Sequence, residues 1–219
     1  VSQKKIAVVL AGCGHLDGSE ITEAVSTLIA LAQQGATVSV FAPHIPLQEV
    51  DHTTGKPTGH ERDVYAESAR ICRGQIHDLK NLNEAEFDAL VFPGGFGAAL
   101  NLSDWAKKGS KGSVLKEVQD AILSFHKASK PIGAFCIAPT LVAKVLGSEG
   151  VTVTIGNDKE TSQEIEKTGA LCEDCAVNDF ISDRAHKVVT SPAYMYDEAT
   201  PAEVFEGISK AVKELVEMA

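Results

Sequence analysis

Cys136 stands where a short apolar run gives way to a helical pattern, in Lys130-Pro131-Ile132-Gly133-Ala134-Phe135-Cys136-Ile137-Ala138-Pro139-Thr140. The run after Pro131 reads as a buried strand, and Ala138 to Leu146 reads as a helix with Pro139 suited to its first turn. A cysteine at such a corner lies at a sheet edge and faces the positive end of a helix. That placement favours thiolate over thiol. The layout is that of a hydrolase nucleophile elbow with sulfur in place of oxygen. The competing reading is a small, inert core side chain, since cysteine often fills that role.

Further groups belong beside Cys136 if it is a nucleophile. Glu20 closes Cys13-Gly14-His15-Leu16-Asp17-Gly18-Ser19-Glu20, where Asp17 and Glu20 have the spacing of a helix-capping pair. Glu20 also fits a second role, as a buried carboxylic acid that exchanges protons with a thiol. Pro93-Gly94-Gly95-Phe96-Gly97 follows a buried strand. Backbone N–H groups at Gly94 or Gly95, with that of Ile137, are candidate oxyanion donors, because glycine lets the backbone approach an oxygen closely. The loop lacks the glycine spacings of dinucleotide and phosphate loops. His15 is the histidine best placed for a pocket, and the seven histidines show no metal-ligand spacing. Cys172 and Cys175 form a CxxC with an acidic spacer and no second pair, which reads as two incidental cysteines.

The elements that must position these groups alternate between strand and helix. Lys5–Ala11 is expected as a first strand. Ile21, Val25, Leu28, Ile29 and Ala32 then recur at helical spacing, up to a stop at Gly35. Thr37–Ala42 is a second strand, residues 43–60 read as a loop, and Val64–Ile71 as a helix. Ala89–Phe92 is a buried strand and Leu115–Lys127 a helix. Val151–Ile155 and Lys187–Thr190 are expected strands. Thr200-Pro201-Ala202-Glu203 is a capping box opening a final helix to Met218. This order predicts one α/β domain over residues 1–219, with a mostly parallel sheet and its functional groups outside the carboxyl ends of the strands.

A net charge of −10 argues against sequence-independent binding to nucleic acid or to anionic membranes. No apolar run approaches the length of a bilayer span. Five cysteines, an odd number, suit a reducing compartment. The expected location is the cytoplasm, or the mitochondrion where a transit peptide preceding Val1 is removed.

Four ordered motifs carry a family resemblance across nearly the whole chain. They are Gly12-Cys13-Gly14 with Asp17-Gly18-Ser19-Glu20-Ile21, Phe92-Pro93-Gly94-Gly95-Phe96-Gly97-Ala98-Ala99, Gly133-Ala134-Phe135-Cys136-Ile137-Ala138-Pro139, and Thr190-Ser191-Pro192-Ala193-Tyr194-Met195. The chain resembles the ElbB group of the ThiJ/PfpI superfamily, which includes bacterial isoprenoid-biosynthesis glyoxalases and mitochondrial glutamine amidotransferase-like class I domain proteins. The resemblance implies a flavodoxin-like class I glutamine-amidotransferase sandwich and a homodimer. It implies a cofactor-free, glyoxalase III-like activity that converts glyoxal or methylglyoxal to a hydroxy acid, and a deglycase activity is attributed to relatives.

By the same resemblance, Cys136 adds to the aldehyde and Glu20 is its acidic partner. Gly94, Gly95 and Ile137 then hold the oxyanion, and His15, Asn101 and Pro192 are candidate pocket residues. The chain departs from true glutamine amidotransferases, which pair their cysteine with a C-terminal His and Glu. It also departs from protease-like relatives, because Ile137 stands where they place histidine. No histidine occurs in Val151–Ile155, where some glyoxalase relatives supply one. The alternative to an enzyme is a redox-sensing or chaperone-like homodimer whose Cys136 is oxidised.

Overall fold

A computed structural model describes residues 3–219. The chain runs β1 (Lys5–Val9), α1 (Ile21–Gln33), β2 (Thr37–Ala42), β3 (Pro46–Asp51), β4 (Lys56–Asp63), α2 (Val64–Ile71) and β5 (His77–Asp78). It continues through β6 (Ala89–Phe92), α3 (Phe96–Leu100), α4 (Trp105–Lys108), α5 (Lys116–Lys127), β7 (Ile132–Phe135) and α6 (Pro139–Leu146). Then follow β8 (Thr152–Val153), α7 (Lys159–Glu166), β9 (Leu171–Cys172), β10 (Ile181–Asp183), β11 (Val188–Ser191) and α8 (Pro201–Met218).

Seven strands form the central sheet in the order β10-β11-β7-β6-β1-β2-β5. Among the described residues, only the β10–β11 pairing is antiparallel within it. This is the mostly parallel α/β architecture that the strand–helix alternation predicts. Pairing β1 with both β2 and β6 sends the chain first to one side of β1 and then to the other. The crevice at that reversal is where an open α/β sheet binds ligands. The loops after β1 and β6 open into it, and β7 ends alongside.

Strand periodicity sorts the core onto two faces. Ile6, Val8 and Leu10 pack on one face with α1 and α8, whereas Ala7, Val9 and Ala11 belong to the cluster containing α5 and α6. Each fully buried leucine or isoleucine contributes roughly 1.5–3 kcal/mol. The Thr200–Glu203 capping box opens α8 as expected, with both reciprocal bonds formed.

Three regions differ from the sequence reading. Residues 43–60 are not a simple loop, because β3 and β4 pair into a polar hairpin. Apart from Leu47, which is buried against Ala42 and Val64, its side chains are mostly polar or exposed and give no apolar alternation. Residues 151–155 contribute a two-residue strand that pairs with β9 outside the central sheet. The largest difference is the rotation of α1. Ile21, Val25 and Ile29 are 48%, 38% and 45% exposed, whereas Glu23, Ala24, Thr27, Ala30 and Leu31 are buried. Ala24, Ser26, Thr27 and Ala30 on the inward face let the helix lie close to the sheet and to α8. That rotation decides which carboxyl group enters the site.

Candidate active site

Cys136 sits one residue beyond β7 with φ +57°, a left-handed conformation that costs energy in any residue with a Cβ. Its N–H donates to the Ser191 carbonyl at 3.0 Å, which ties the corner to the end of β11. The expected strand-to-helix elbow is therefore present, and the backbone strain falls on the reactive residue. The thiol opens into a cavity of about 490 Å³.

The carboxyl group beside this thiol belongs to Glu23, not to Glu20. Glu20 is the N-cap of α1, and its Oε2 accepts the Glu23 N–H at 2.6 Å. It borders the cavity without meeting the sulfur. Glu23 lies one turn further on, on the inward face, and is fully buried. Its Oε1 accepts the Gly94 N–H at 3.0 Å, and its Oε2 faces the Tyr194 N–H at 3.4 Å. Asp17 does not cap the helix either. Its Oδ2 accepts the Val50 N–H at 2.9 Å and anchors the β3–β4 hairpin.

Burial pushes the Glu23 pKa up to about 8, and the nearby Glu20 carboxylate adds to the rise. The Tyr194 N–H, the Cys136 thiol and the Gly94 N–H oppose it. The Cys136 thiol is itself pushed up, first by burial and then by the Glu23 charge. N–H groups of Gly95 and Ile137 directed at the sulfur counter part of that rise. The expectation of a helix-favoured thiolate is thus corrected, because α6 has only eight residues and burial outweighs its positive end. The pair holds its protons at neutral pH. Loss of the first leaves one proton shared between sulfur and carboxyl, so its titration belongs to the pair.

The remaining predicted positions separate by their contacts. The Gly94 N–H is committed to Glu23, so it is not free for an oxyanion. Gly95 and Ile137 do present N–H groups at the sulfur. His15 borders the cavity, with its ring edge-on to His52 at 5.2 Å. Asn101 lies outside the cavity. Its amide donates to the carbonyls of Ala11 and Asp17, clamping the glycine loop after β1. Pro192 is buried behind the cavity wall, and the side chains of its segment that reach the space are Tyr194 and Met195.

Phe96, Asp158, Thr161 and Asp197 complete the lining and were not singled out from the sequence. For Glu23 a signal existed. The pattern Glu23, Ala24, Thr27, Ala30, Leu31 also has helical spacing, but its mixed polarity is weaker than the Ile21, Val25, Ile29 stripe. Among the described residues, no group of three or more His, Cys, Asp or Glu side chains is arranged to hold a metal ion. Cys172 and Cys175 are unpaired thiols, and burial raises the pKa of both.

Comparisons with known proteins give the family and the fold. The family model of the DJ-1/PfpI family matches residues 4–199. The human glutamine amidotransferase-like class 1 domain-containing protein 3, mitochondrial, is 45% identical, aligning 98% of this chain with 83% of its own length. The rat ES1 protein homolog, mitochondrial, is 44% identical over 98% of this chain and 84% of its own. An isoprenoid biosynthesis protein with amidotransferase-like domain from Ehrlichia chaffeensis is similar in structure, with a TM-score of 0.91 and 36% identity. That match covers 98% of this chain and all of the other. Drosophila melanogaster DJ-1beta, at 18% identity and a TM-score of 0.59, shares the fold. With nearly the whole length matched and a strained cysteine at the sheet edge, the chain belongs to the DJ-1/PfpI family.

Proposed function

We propose that this protein is a cofactor-independent, glyoxalase III-like enzyme that converts small 2-oxoaldehydes to hydroxy acids. The observation that carries the reading is the Glu23 carboxyl beside the Cys136 thiol, with the Gly95 and Ile137 N–H groups aimed at the same sulfur. In the singly deprotonated pair, the Cys136 sulfur adds to the aldehyde carbon with the one shared proton left on Glu23, and the carbonyl electron pair moves onto oxygen. The Gly95 and Ile137 donors hold that oxygen, which takes the proton from Glu23 to give the hemithioacetal and leaves Glu23 as a carboxylate. Glu23 then removes the hydrogen from the sulfur-bearing carbon and, through an enediol, returns a proton to the neighbouring carbon. The product is a thioester of the hydroxy acid. Water adds to it, the C–S bond breaks, and the thiol is regenerated. Glu23 thus fills the role of the histidine that the sequence lacks in residues 151–155.

Purified protein incubated with glyoxal is expected to form glycolate, and with methylglyoxal to form lactate. Cys136→Ala is expected to abolish product formation. No product from the wild-type protein, or equal rates from wild type and Cys136→Ala, would overturn the proposal. The redox-sensor alternative predicts selective peroxide oxidation of Cys136 with no product from either aldehyde. Since human and rat relatives carry "mitochondrial" in their names, the mitochondrion is the proposed compartment.

A homodimer is proposed on the outward face of α1. Ile21, Val25 and Ile29 form an exposed apolar stripe at one-turn intervals. A second copy packed by a twofold axis would cover the same stripe on both partners. Val25→Asp is expected to shift the protein from dimer to monomer in sedimentation velocity, with the folded circular dichroism spectrum retained. An unchanged sedimentation coefficient would exclude this interface.

A further inference from the structure

The cavity is far larger than the substrate proposed for it, and its charges are of one sign. A five-heavy-atom dicarbonyl fills on the order of 100 Å³, on the scale of the roughly 30 Å³ taken up by one water. The space above Cys136 is about 490 Å³. Besides the Glu23 carboxyl, the carboxylates of Glu20, Asp158 and Asp197 border it, and among the described residues no lysine or arginine does. Phe96, half exposed, and Met195 add an apolar wall.

These carboxylates are not equally available. Both Asp158 oxygens are occupied at the start of α7, by the Glu160 and Thr161 N–H groups and by the Thr161 hydroxyl. Glu20 uses Oε2 to cap α1, and among the described residues its Oε1 has no hydrogen-bond partner. Asp197 is exposed and unpaired among the described residues. Two carboxylates are therefore open to a ligand that already occupies the cavity floor.

We infer that the cavity selects carbonyl compounds bearing a cationic head, such as an ammonium group a few bonds from the reacting carbon, over neutral and anionic ones. This rests on the reading of Cys136 as the nucleophile and names the substrate class for the same site. The Cys136 thiol and the Gly95 and Ile137 N–H groups hold the carbonyl end. The ammonium reaches Glu20 and Asp197 across the cavity, and the intervening carbons lie against Phe96. Low-dielectric walls focus the field of the two open carboxylates into the cleft. An anionic carbonyl compound meets the same field as a barrier.

Charged thiol reagents test this without requiring turnover. Methanethiosulfonates with an ammonium-ethyl or a sulfonato-ethyl group form a disulfide with a thiol, and mass spectrometry of the Cys136 peptide gives the rate for each. The ratio of the ammonium rate to the sulfonate rate is expected to fall about 10-fold or more from wild type to the Glu20→Gln, Asp197→Asn double variant. The wild-type ratio is also expected to shrink as salt shortens the screening length. Glutamine at position 20 keeps an oxygen that can cap α1, so the fold is preserved. A ratio unchanged in the double variant, or insensitive to salt, would overturn the inference. Because the reagents report on charge at Cys136 alone, a falling ratio with no glyoxal turnover would sustain the selectivity and defeat the glyoxalase reading. Turnover with an unchanged ratio would do the reverse.

Discussion

Glu23→Gln is expected to lower kcat/KM for glyoxal by about 10²- to 10⁴-fold, the usual contribution of a positioned general acid–base. Glutamine retains a carbonyl oxygen for the Gly94 N–H but cannot carry a proton between sulfur and carbon. A second readout separates this role from a structural one. Alkylation of Cys136 by iodoacetamide is expected to rise with pH through about 8 in the wild type, as the thiol–carboxyl pair loses its first proton. The variant is expected to lose that inflection. Activity within 10-fold of wild type, with the inflection intact, would remove Glu23 from the mechanism.

The same substitution is expected to stabilise the protein. Glu23 has a raised folded-state pKa, so the native state binds its proton more tightly than the unfolded chain does. Its contribution is full below about 4.5 and is lost as pH rises to about 8. The loss across that window is on the order of 5 kcal/mol at 1.36 kcal/mol per pKa unit. Glutamine has no proton to lose. The gain in Tm of the variant over wild type is therefore expected to grow from pH 4.5 to about 8 and then level off. A gain independent of pH would place the burial cost elsewhere.

Gly94→Ala is expected to destabilise the fold by about 3 kcal/mol, the upper end for overpacking. That corresponds to a fall in Tm of roughly 6–12 °C for a chain of this size. The added methyl group would lie 2.5 Å from Glu23 Oε1 and 2.7 Å from the Phe135 carbonyl oxygen, and would also overlap the Cys136 Cβ. The Phe135 oxygen belongs to strand backbone, which cannot swing away as a long side chain can. The catalytic pair would have to separate even in molecules that fold. Thermal denaturation near wild-type values, together with full activity, would show that the loop after β6 relaxes more than its packing implies.

A stability gain at Glu23 and a stability loss at Gly94 describe one design. The protein tolerates a fully buried carboxyl and a strained cysteine backbone, and dense packing of glycine loops against them holds the geometry.

Much of this was legible in the chain. The strand–helix alternation, the capping box of α8 and the elbow at Cys136 are local patterns, in which neighbouring residues interact mainly with one another. Thr37–Ala42, Val64–Ile71 and Ala89–Phe92 form as read, because their apolar spacing matches a single periodicity. The hairpin at residues 46–63 was hidden, because its pairing is polar and its exposed faces carry no hydrophobic alternation. The start of α7 was hidden too, although the Asp158 cap that opens it contributes a wall of the cavity.

The sequence by itself determined that a cysteine would stand at a strand end, with glycine loops from other strands able to reach it. Only the tertiary structure decided which carboxyl group meets that cysteine. Glu20 and Glu23 are three residues apart on one helix, and a rotation of that helix exchanges their roles. The rotation follows from packing against the sheet and α8, where small side chains permit a close approach and the larger apolar stripe is left outside. Burial likewise decided the state of the thiol. The positive end of a short helix can be read from the chain, but the desolvation that outweighs it arises only when distant segments close around the sulfur.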